Sequence, residues 1–405
     1  MPPLAESWHD ASMNVLYLTN NAGHASTTVS TQGWFRLLAP SGLRPVLASP
    51  RTGAFAEWAT QRGIPFYRLP LPFPSKSRPW GFLNSLWRLW RIAKRHKIEL
   101  VHCNEQDVYP IGQYLARLCR VPVVVSVHSR MQPGFSRWAF RGARQPRRVF
   151  FISRGNLEVC RSGMDGVVPE TRWRLLYNGI DTRHYRPDQS LRQAFRGRHG
   201  LDSELLIGIA CALRPGKQLE HFFQAAAGLS SPRTRVVLAG GPVPGSETYA
   251  ENVINVGRQL LQDSLIHLGH LSDLRGFYNA LDLAVNTSEG EACSISILEA
   301  LACGCPVLGY PSISVHEQVL PDGGEIVAQD DIGALRAALK QWLGDPAELS
   351  RMRPGARKRV ETDFDIEKIA AQLWSEYLDV LNCTKNSADR CGLPSVPNIT
   401  AIDSR

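Results

Sequence analysis

The stretch Asn286-Thr287-Ser288-Glu289-Gly290-Glu291-Ala292-Cys293-Ser294-Ile295-Ser296-Ile297-Leu298-Glu299-Ala300-Leu301-Ala302-Cys303-Gly304-Cys305-Pro306-Val307-Leu308-Gly309 sets the architecture of this chain. An apolar run ends at Asn286, a polar turn containing Gly290 follows, and a helical pattern then continues to Gly304, a residue that readily ends a helix. Pro306 opens the next short apolar run. Strand, turn, helix, turn, strand is one parallel crossover unit, because parallel neighbours need a helix-length connection. Within it, Glu291 is expected at or just before the helix start and Glu299 two turns along. A carboxylate suits either place when the ligand offers two neighbouring hydroxyls, as a sugar or a ribose does. Free backbone N–H groups near Ser294, Ile295 and Ser296 suit a phosphate. The plainer alternative is a solvated helix with two acidic residues, which spacing alone does not exclude; the complete strand-to-strand context argues against it.

Outward from this unit, strand and helix patterns alternate along most of the 405 residues. Short apolar runs at 15–18, 45–48, 99–102, 121–127 and 149–152 are separated by helix-length segments, and a loop at 20–28 precedes a helix towards Leu38. The alternation pauses from Tyr177-Asn178-Gly179-Ile180-Asp181 through an Arg-rich stretch to Ser203. It restarts with strands at 205–210, 235–239, 265–268, 281–286 and 306–308 and a helix at 219–229. Such alternation predicts parallel sheets covered by helices. Two Rossmann-like α/β domains are expected, 13–182 and 204–365, with a helix at 366–382 crossing back to the first and a disordered tail at 383–405. In open parallel sheets ligands sit outside the carboxyl ends of the strands, so the strand-end loops are where chemistry is sought.

The acidic segment resembles the Glu-x7-Glu signature of retaining GT-B glycosyltransferases, in particular glycosyltransferase family 4 (glycosyl transferases group 1). Leu298-Glu299-Ala300-Leu301-Ala302-Cys303-Gly304-Cys305-Pro306-Val307-Leu308 is similar to that family's LEAMACGxPVI. The resemblance covers about residues 13–382 and is tighter in the second half. It implies a GT-B fold, a nucleoside-diphosphate-sugar donor with UDP favoured over GDP, Glu291 on the transferred sugar and Glu299 on the ribose. Leu213-Arg214-Pro215-Gly216-Lys217 resembles the basic loop that neutralises the diphosphate, giving roles to Arg214 and Lys217. One departure is Ala212, where relatives carry Arg five residues before the Lys. Gly240, closing Val236-Val237-Leu238-Ala239-Gly240, and Leu268, in His267-Leu268-Gly269-His270, match elements that approach the donor. His128, ending Val125-Ser126-Val127-His128, corresponds to the family's active-site histidine. On the acceptor side the candidates are Ser26 and Thr27, in the loop where relatives have Gly-Gly and this sequence has Ala25-Ser26, together with Asn104 and Glu105. Glu317 falls in a stretch similar to the family's GxxPE, and Tyr177 to Asp181 matches its NGVD.

Composition sets outer bounds. No run approaches the roughly 18 apolar residues of a membrane span, and the first dozen residues have neither the basic start nor the apolar core of a secretory signal. Nine cysteines without a paired framework suggest reduced thiols in a cytoplasmic protein. No metal set is expected: Cys303 and Cys305 lack zinc partners, and His267 and His270 lack a third ligand. The net charge of +9 suits an anionic partner. Residues 80–97 place Trp80, Trp87 and Trp90 among Arg and Lys at helical spacing. Two readings stay open there: a peripheral face for an anionic membrane, on the inner side of the cytoplasmic membrane, or an ordinary sheet-covering helix. No nucleic-acid module is present. The expected function is hexosyl transfer to a glycan or lipid-linked acceptor in cell-surface polysaccharide or glycoconjugate synthesis. A silent sugar-nucleotide-binding or scaffold subunit, and another GT-B enzyme such as a 2-epimerase, remain alternatives at this stage.

Overall fold

The computed structural model describes residues 12–23, 26–77, 79–141, 145–227, 229 and 233–385. His24 and Ala25 of the first loop, and the tail expected beyond 383 from residue 386 on, lie outside the described residues.

Two parallel sheets form as the alternation predicts. The first contains β1 Met13–Leu18, β2 Leu43–Ser49, β3 Phe66–Arg68, β4 Leu100–Cys103, β5 Val123–Val127, β6 Arg148–Phe151 and β7 Trp173–Leu175 in the order β3-β2-β1-β4-β5-β6-β7. The second contains β8 Leu205–Ala210, β9 Thr234–Ala239, β10 Leu265–His267, β11 Leu283–Asn286, β12 Val307–Gly309 and β13 Gly324–Ile326 in the order β10-β9-β8-β11-β12-β13. Central strands such as Val123–Val127 and Leu283–Asn286 are buried along their whole length, which is why they read as unbroken apolar runs. Each sheet reverses its order once, between β1 and β4 and between β8 and β11. Those two places open crevices at the strand ends, and the loops leaving β1, β4, β8 and β11 carry most of the candidate residues.

The Arg-rich stretch read as a pause holds a helix, Gln189–His199. Its Phe195 packs on Phe277 of the second unit. Arg192 and Arg196 turn inward to Asp282 at 2.6 and 2.7 Å and to the carbonyl of Ala280. The helix expected at 219–229 is shorter, Leu219–Ala226.

The chain crosses between units at residues 176–182 and returns beside the crossing, where Ile180 and Ile366 pair through backbone bonds of 2.9 and 3.0 Å to Phe364 O and Ile180 O. The last helix, Ile366–Lys385, then lies on the first sheet. Its Ile369, Leu373, Trp374 and Tyr377 share a core with Trp34, Phe35, Leu100, Val124 and Phe150, and its Glu376 binds Arg148 at 2.5 Å and Arg174 at 2.6 Å.

Candidate functional site

The second sheet's switch point is closed by two loops that fasten to one another. After β8 the chain makes a tight turn, Pro215–Lys217, and after β11 it runs as an irregular loop, bending at Glu289, Ala292 and Cys293, through residues 287–294. Thr287 Oγ1 donates to Lys217 O at 2.9 Å, and Glu289 N donates to Gly216 O at 3.0 Å. The Lys217 ammonium then forms an ion pair with the Glu291 carboxylate, both side chains largely shielded from solvent. Arg214 is exposed, curls back over Gly216, and has no carboxylate partner among the described residues.

The helix carrying Glu299 is Ile295–Ala302, with Ser294 at the position just before its first turn. Glu291 therefore precedes the helix by four residues, and Glu299 sits one turn along it instead of the expected two. The cause is that residues 291–294, which bend at Ala292 and Cys293, are held out of the helix by the next strand-end segment. Ser312 Oγ accepts from Glu291 N at 2.7 Å, Ser314 N donates to Glu291 O at 3.1 Å, and the Gln318 amide brackets Ser294, accepting from its N–H at 2.9 Å and donating to its C=O at 3.0 Å. Ser294 makes no side-chain cap, its hydroxyl instead pairing with that of Ser296 at 3.0 Å. The N–H groups of the first turn at Ile295 and Ser296 are thus open, as the first N–H groups of a helix are without a cap.

Glu299 is buried, and burial lifts its carboxyl to about 7, the hydroxyls of Tyr185 and Tyr278 pulling it partly back. Neither tyrosine carries a sequence signal. Gly240 has a different reason to be glycine from the one expected: at φ 140° its missing side chain would strike the carbonyl oxygen of Cys211 at 1.8 Å, so it lets the β8 and β9 loops cross. The Leu268 N–H donates to Leu238 O at 2.9 Å inside the sheet, leaving only its carbonyl for a ligand. His267 binds Gly240 O at 3.1 Å, a structural role, and no cluster of metal-ligating side chains occurs among the described residues.

The first sheet's switch point gathers the other candidates. Glu105, just past β4, accepts from Thr19 Oγ1 at 2.7 Å and Asn20 N at 3.0 Å, clamping the β1 and β4 loops together. Burial raises its carboxyl to about 7 against the lowering effect of those two donors. Thr31 Oγ1 donates to Thr27 O at 2.8 Å and lies 3.2 Å from Asn104 Oδ1. Thr27 Oγ1, Asn104 Nδ2 and both ring nitrogens of His128 are buried without hydrogen-bond partners. Burial pushes the His128 ring down to about 4. Unpartnered buried polar atoms are rare in folded proteins, and several within one crevice are what a ligand's hydroxyls would complete. His102, by contrast, is fully bonded, to Ser126 Oγ at 2.8 Å and to Tyr377. Ser26 begins the helix Ser26–Leu38 beside this crevice.

Two family models match in tandem, Glycosyltransferase Family 4 over residues 29–184 and Glycosyl transferases group 1 over residues 192–359. Among curated relatives, the lipopolysaccharide core biosynthesis mannosyltransferase LpcC of Rhizobium leguminosarum bv. viciae is 23% identical over 306 residues, 73% of this chain and 83% of that protein. The corresponding LpsB of Rhizobium meliloti is 26% identical over 313 residues, 75% of this chain and 85% of that protein. Among solved structures, Anabaena HepE in complex with UDP superposes with a TM-score of 0.81 at 20% identity, covering 91% of this chain and all of that one.

Proposed function

The chain belongs to glycosyl transferases group 1, with a family 4 N-terminal half and the GT-B fold, and from that membership we propose a reaction: transfer of a hexose from a nucleoside-diphosphate sugar, with retention of anomeric configuration. The acceptor is a glycan or a lipid-linked glycan, in cell-surface polysaccharide or glycoconjugate synthesis; the names of LpcC and LpsB favour the same setting. One observation carries the reading. The Lys217–Glu291 pair stands at the mouth of an uncapped helix N-terminus, one turn above a buried carboxyl, at the switch point of a parallel sheet.

In this reading Lys217 and Arg214 neutralise the donor diphosphate, helped by the N–H groups near Ser294, Ile295 and Ser296. Glu299 takes the ribose diol, Glu291 the hydroxyls of the sugar, and the Leu268 carbonyl faces the base. Thr27, Asn104, Glu105 and His128 border the reacting sugar and the acceptor. The acceptor oxygen bonds to the anomeric carbon on the face that the phosphate leaves, the carbon–oxygen bond to phosphate breaks, and the acceptor proton passes to the departing phosphate oxygen. No side chain need act as base. The UDP held by HepE supports a uridine donor. A thermal-shift panel of UDP- and GDP-sugars tests this, because a ligand binding only the folded state raises the melting temperature; turnover of the stabilising sugar, with the product anomer read by NMR, completes it. No shift with any nucleotide sugar sinks the proposal. Binding without turnover favours the silent-subunit alternative that Ala212 motivates.

The helix Pro79–Arg95 buries one face and exposes another. Phe82, Ser85, Leu89, Ile92 and Ala93 face the core, while Trp80 and Trp87 are 81% and 51% exposed. Trp90 is half-buried, and Arg88, Arg91, Lys94 and Arg95 share the outer face. Residues 13–182 carry 24 Lys and Arg against 8 Asp and Glu, whereas residues 204–365 carry 13 against 20. We propose that this face rests on an anionic cytoplasmic membrane surface; no described helix is long and apolar enough to cross one. Replacing Trp80 and Trp87 with Ser should abolish sedimentation with phosphatidylglycerol vesicles and leave the melting temperature unchanged. Equal sedimentation before and after removes the membrane role.

A further inference from the structure

One short helix, Val315–Val319, touches both halves of the molecule with adjacent side chains. Gln318 brackets the backbone of Ser294, just before the Glu299 helix, and the preceding Ser312 and Ser314 hold Glu291 by its backbone N–H and C=O. Glu317 points the other way. Its carboxylate accepts from Arg154 N at 3.1 Å and Gly155 N at 3.0 Å, at the start of the helix Arg154–Met164 in the opposite domain, and from Tyr177 Oη at 3.0 Å. Ser153 of that helix satisfies only Asn156 N, so two of the first N–H groups are completed from across the domain boundary, where a carboxylate also meets the helix dipole favourably. The approach is close: a side chain at Gly155 would put its Cβ 1.9 Å from Ile313 O, in the segment that leads to Glu317.

We propose that Glu317 is a positioning residue that reports the angle between the domains to the donor loop. When its carboxylate sits on the Arg154–Met164 helix, the segment 312–318 is pinned between the domains and holds Glu291 and Ser294 in register. When the domains part, the same segment loses its far anchor and the donor loop loses its brace. The proposal rests on the glycosyl-transfer reading for its catalytic consequence, but the latch itself is independent of it.

Two variants from opposite sides of the boundary test it. Glu317→Gln keeps the shape and replaces one accepting oxygen with an NH2 that faces N–H donors; Gly155→Ala wedges the boundary by its methyl. Small-angle scattering of the ligand-free chain should give each a radius of gyration larger by roughly 1 Å than the wild type, against about 22 Å for a compact chain of this length. In donor turnover, kcat should fall about 100-fold, as a displacement of about 1 Å remote from the chemistry can cause, while the KM for the donor changes less than twofold. Unchanged scattering in both variants overturns the latch, whatever the activity. Changed scattering in the variants, with no transferase activity in the wild type, keeps the latch and rejects the transferase reading instead. Should Gly155→Ala fail to fold, Glu317→Gln alone decides, since it adds no bulk.

Discussion

Lys217→Ala is expected to lower kcat for sugar transfer about 100- to 1000-fold, the loss typical when one preorganised donor to a developing oxyanion is removed. The ligand-free arrangement explains why this residue and Glu291 belong to one device. Each neutralises the other in a site where their side chains are only 11% and 16% exposed. In the proposed reaction, a diphosphate entering beside Lys217 would offer the ammonium a stronger partner, and the exchange would free Glu291 to accept hydroxyls from the sugar. The single substitution also leaves Glu291 without its counter-charge, and breaking a buried pair from one side costs about 3 kcal/mol or more. A lower melting temperature is therefore expected of Lys217→Ala and does not by itself speak for catalysis. The double variant Lys217→Ala, Glu291→Gln separates the two effects: stability should return because no charge is stranded, while turnover should not. Nucleotide release measured at saturating donor reads the rate, and thermal melting reads the stability. Wild-type kcat in the single variant would take Lys217 out of the reaction.

The two-domain fold was legible because parallel strands buried on both faces leave apolar runs, as β1, β5, β8 and β11 do. β3, β7 and β13 escaped because each is three residues long with a charged side chain among them, Arg68 in Phe66–Arg68, Arg174 in Trp173–Leu175 and Glu325 in Gly324–Ile326, so no apolar run marks them as it does β10 and β12. The helix Gln189–His199 escaped for a different reason. Its inward face is arginine, and Arg192 and Arg196 read as solvent-facing until Asp282 and the 279–281 carbonyls are in view. At the site, Glu291, Glu299 and Lys217 were found by pattern, yet the pattern placed the helix start too early. Residues 291–294 stay out of the helix because Ser312, Ser314 and Gln318 claim their backbone groups. Those are long-range contacts, and no local propensity encodes them. Strand-end logic could have pointed to Ser312, which lies three residues after β12; nothing in the sequence points to Tyr185 beside Glu299.

Glu299→Gln should make the protein more stable at pH 8 and poorer at holding its donor. The carboxyl of Glu299 is lifted to about 7 chiefly by burial. An acid whose pKa is higher folded than unfolded binds more protons in the native state, so its effect on stability is most favourable below the unfolded value near 4.5 and is lost as pH rises through 7. A shift of that size corresponds to about 3 kcal/mol at alkaline pH, which the neutral glutamine does not incur. Melting curves of the two proteins should therefore agree near pH 4 and diverge steadily to pH 8, with the variant higher. Glu105, raised for the same reason, remains in both and cancels from the comparison. Donor binding should move oppositely. A ribose diol donates to the ionised carboxylate, so affinity for the nucleotide rises with pH until about 7 in the wild type, whereas the variant's affinity is flat and about tenfold or more weaker at pH 8, the worth of hydrogen bonds to a charged group. Calorimetric titration at pH 5.5, 7 and 8.5 with a UDP-sugar, whose diphosphate has no terminal proton to lose in this range, measures this. A glutamate retained only for packing would lose stability on replacement at every pH and leave nucleotide affinity alone; a residue held at an energetic disadvantage for the sake of a ligand does the reverse.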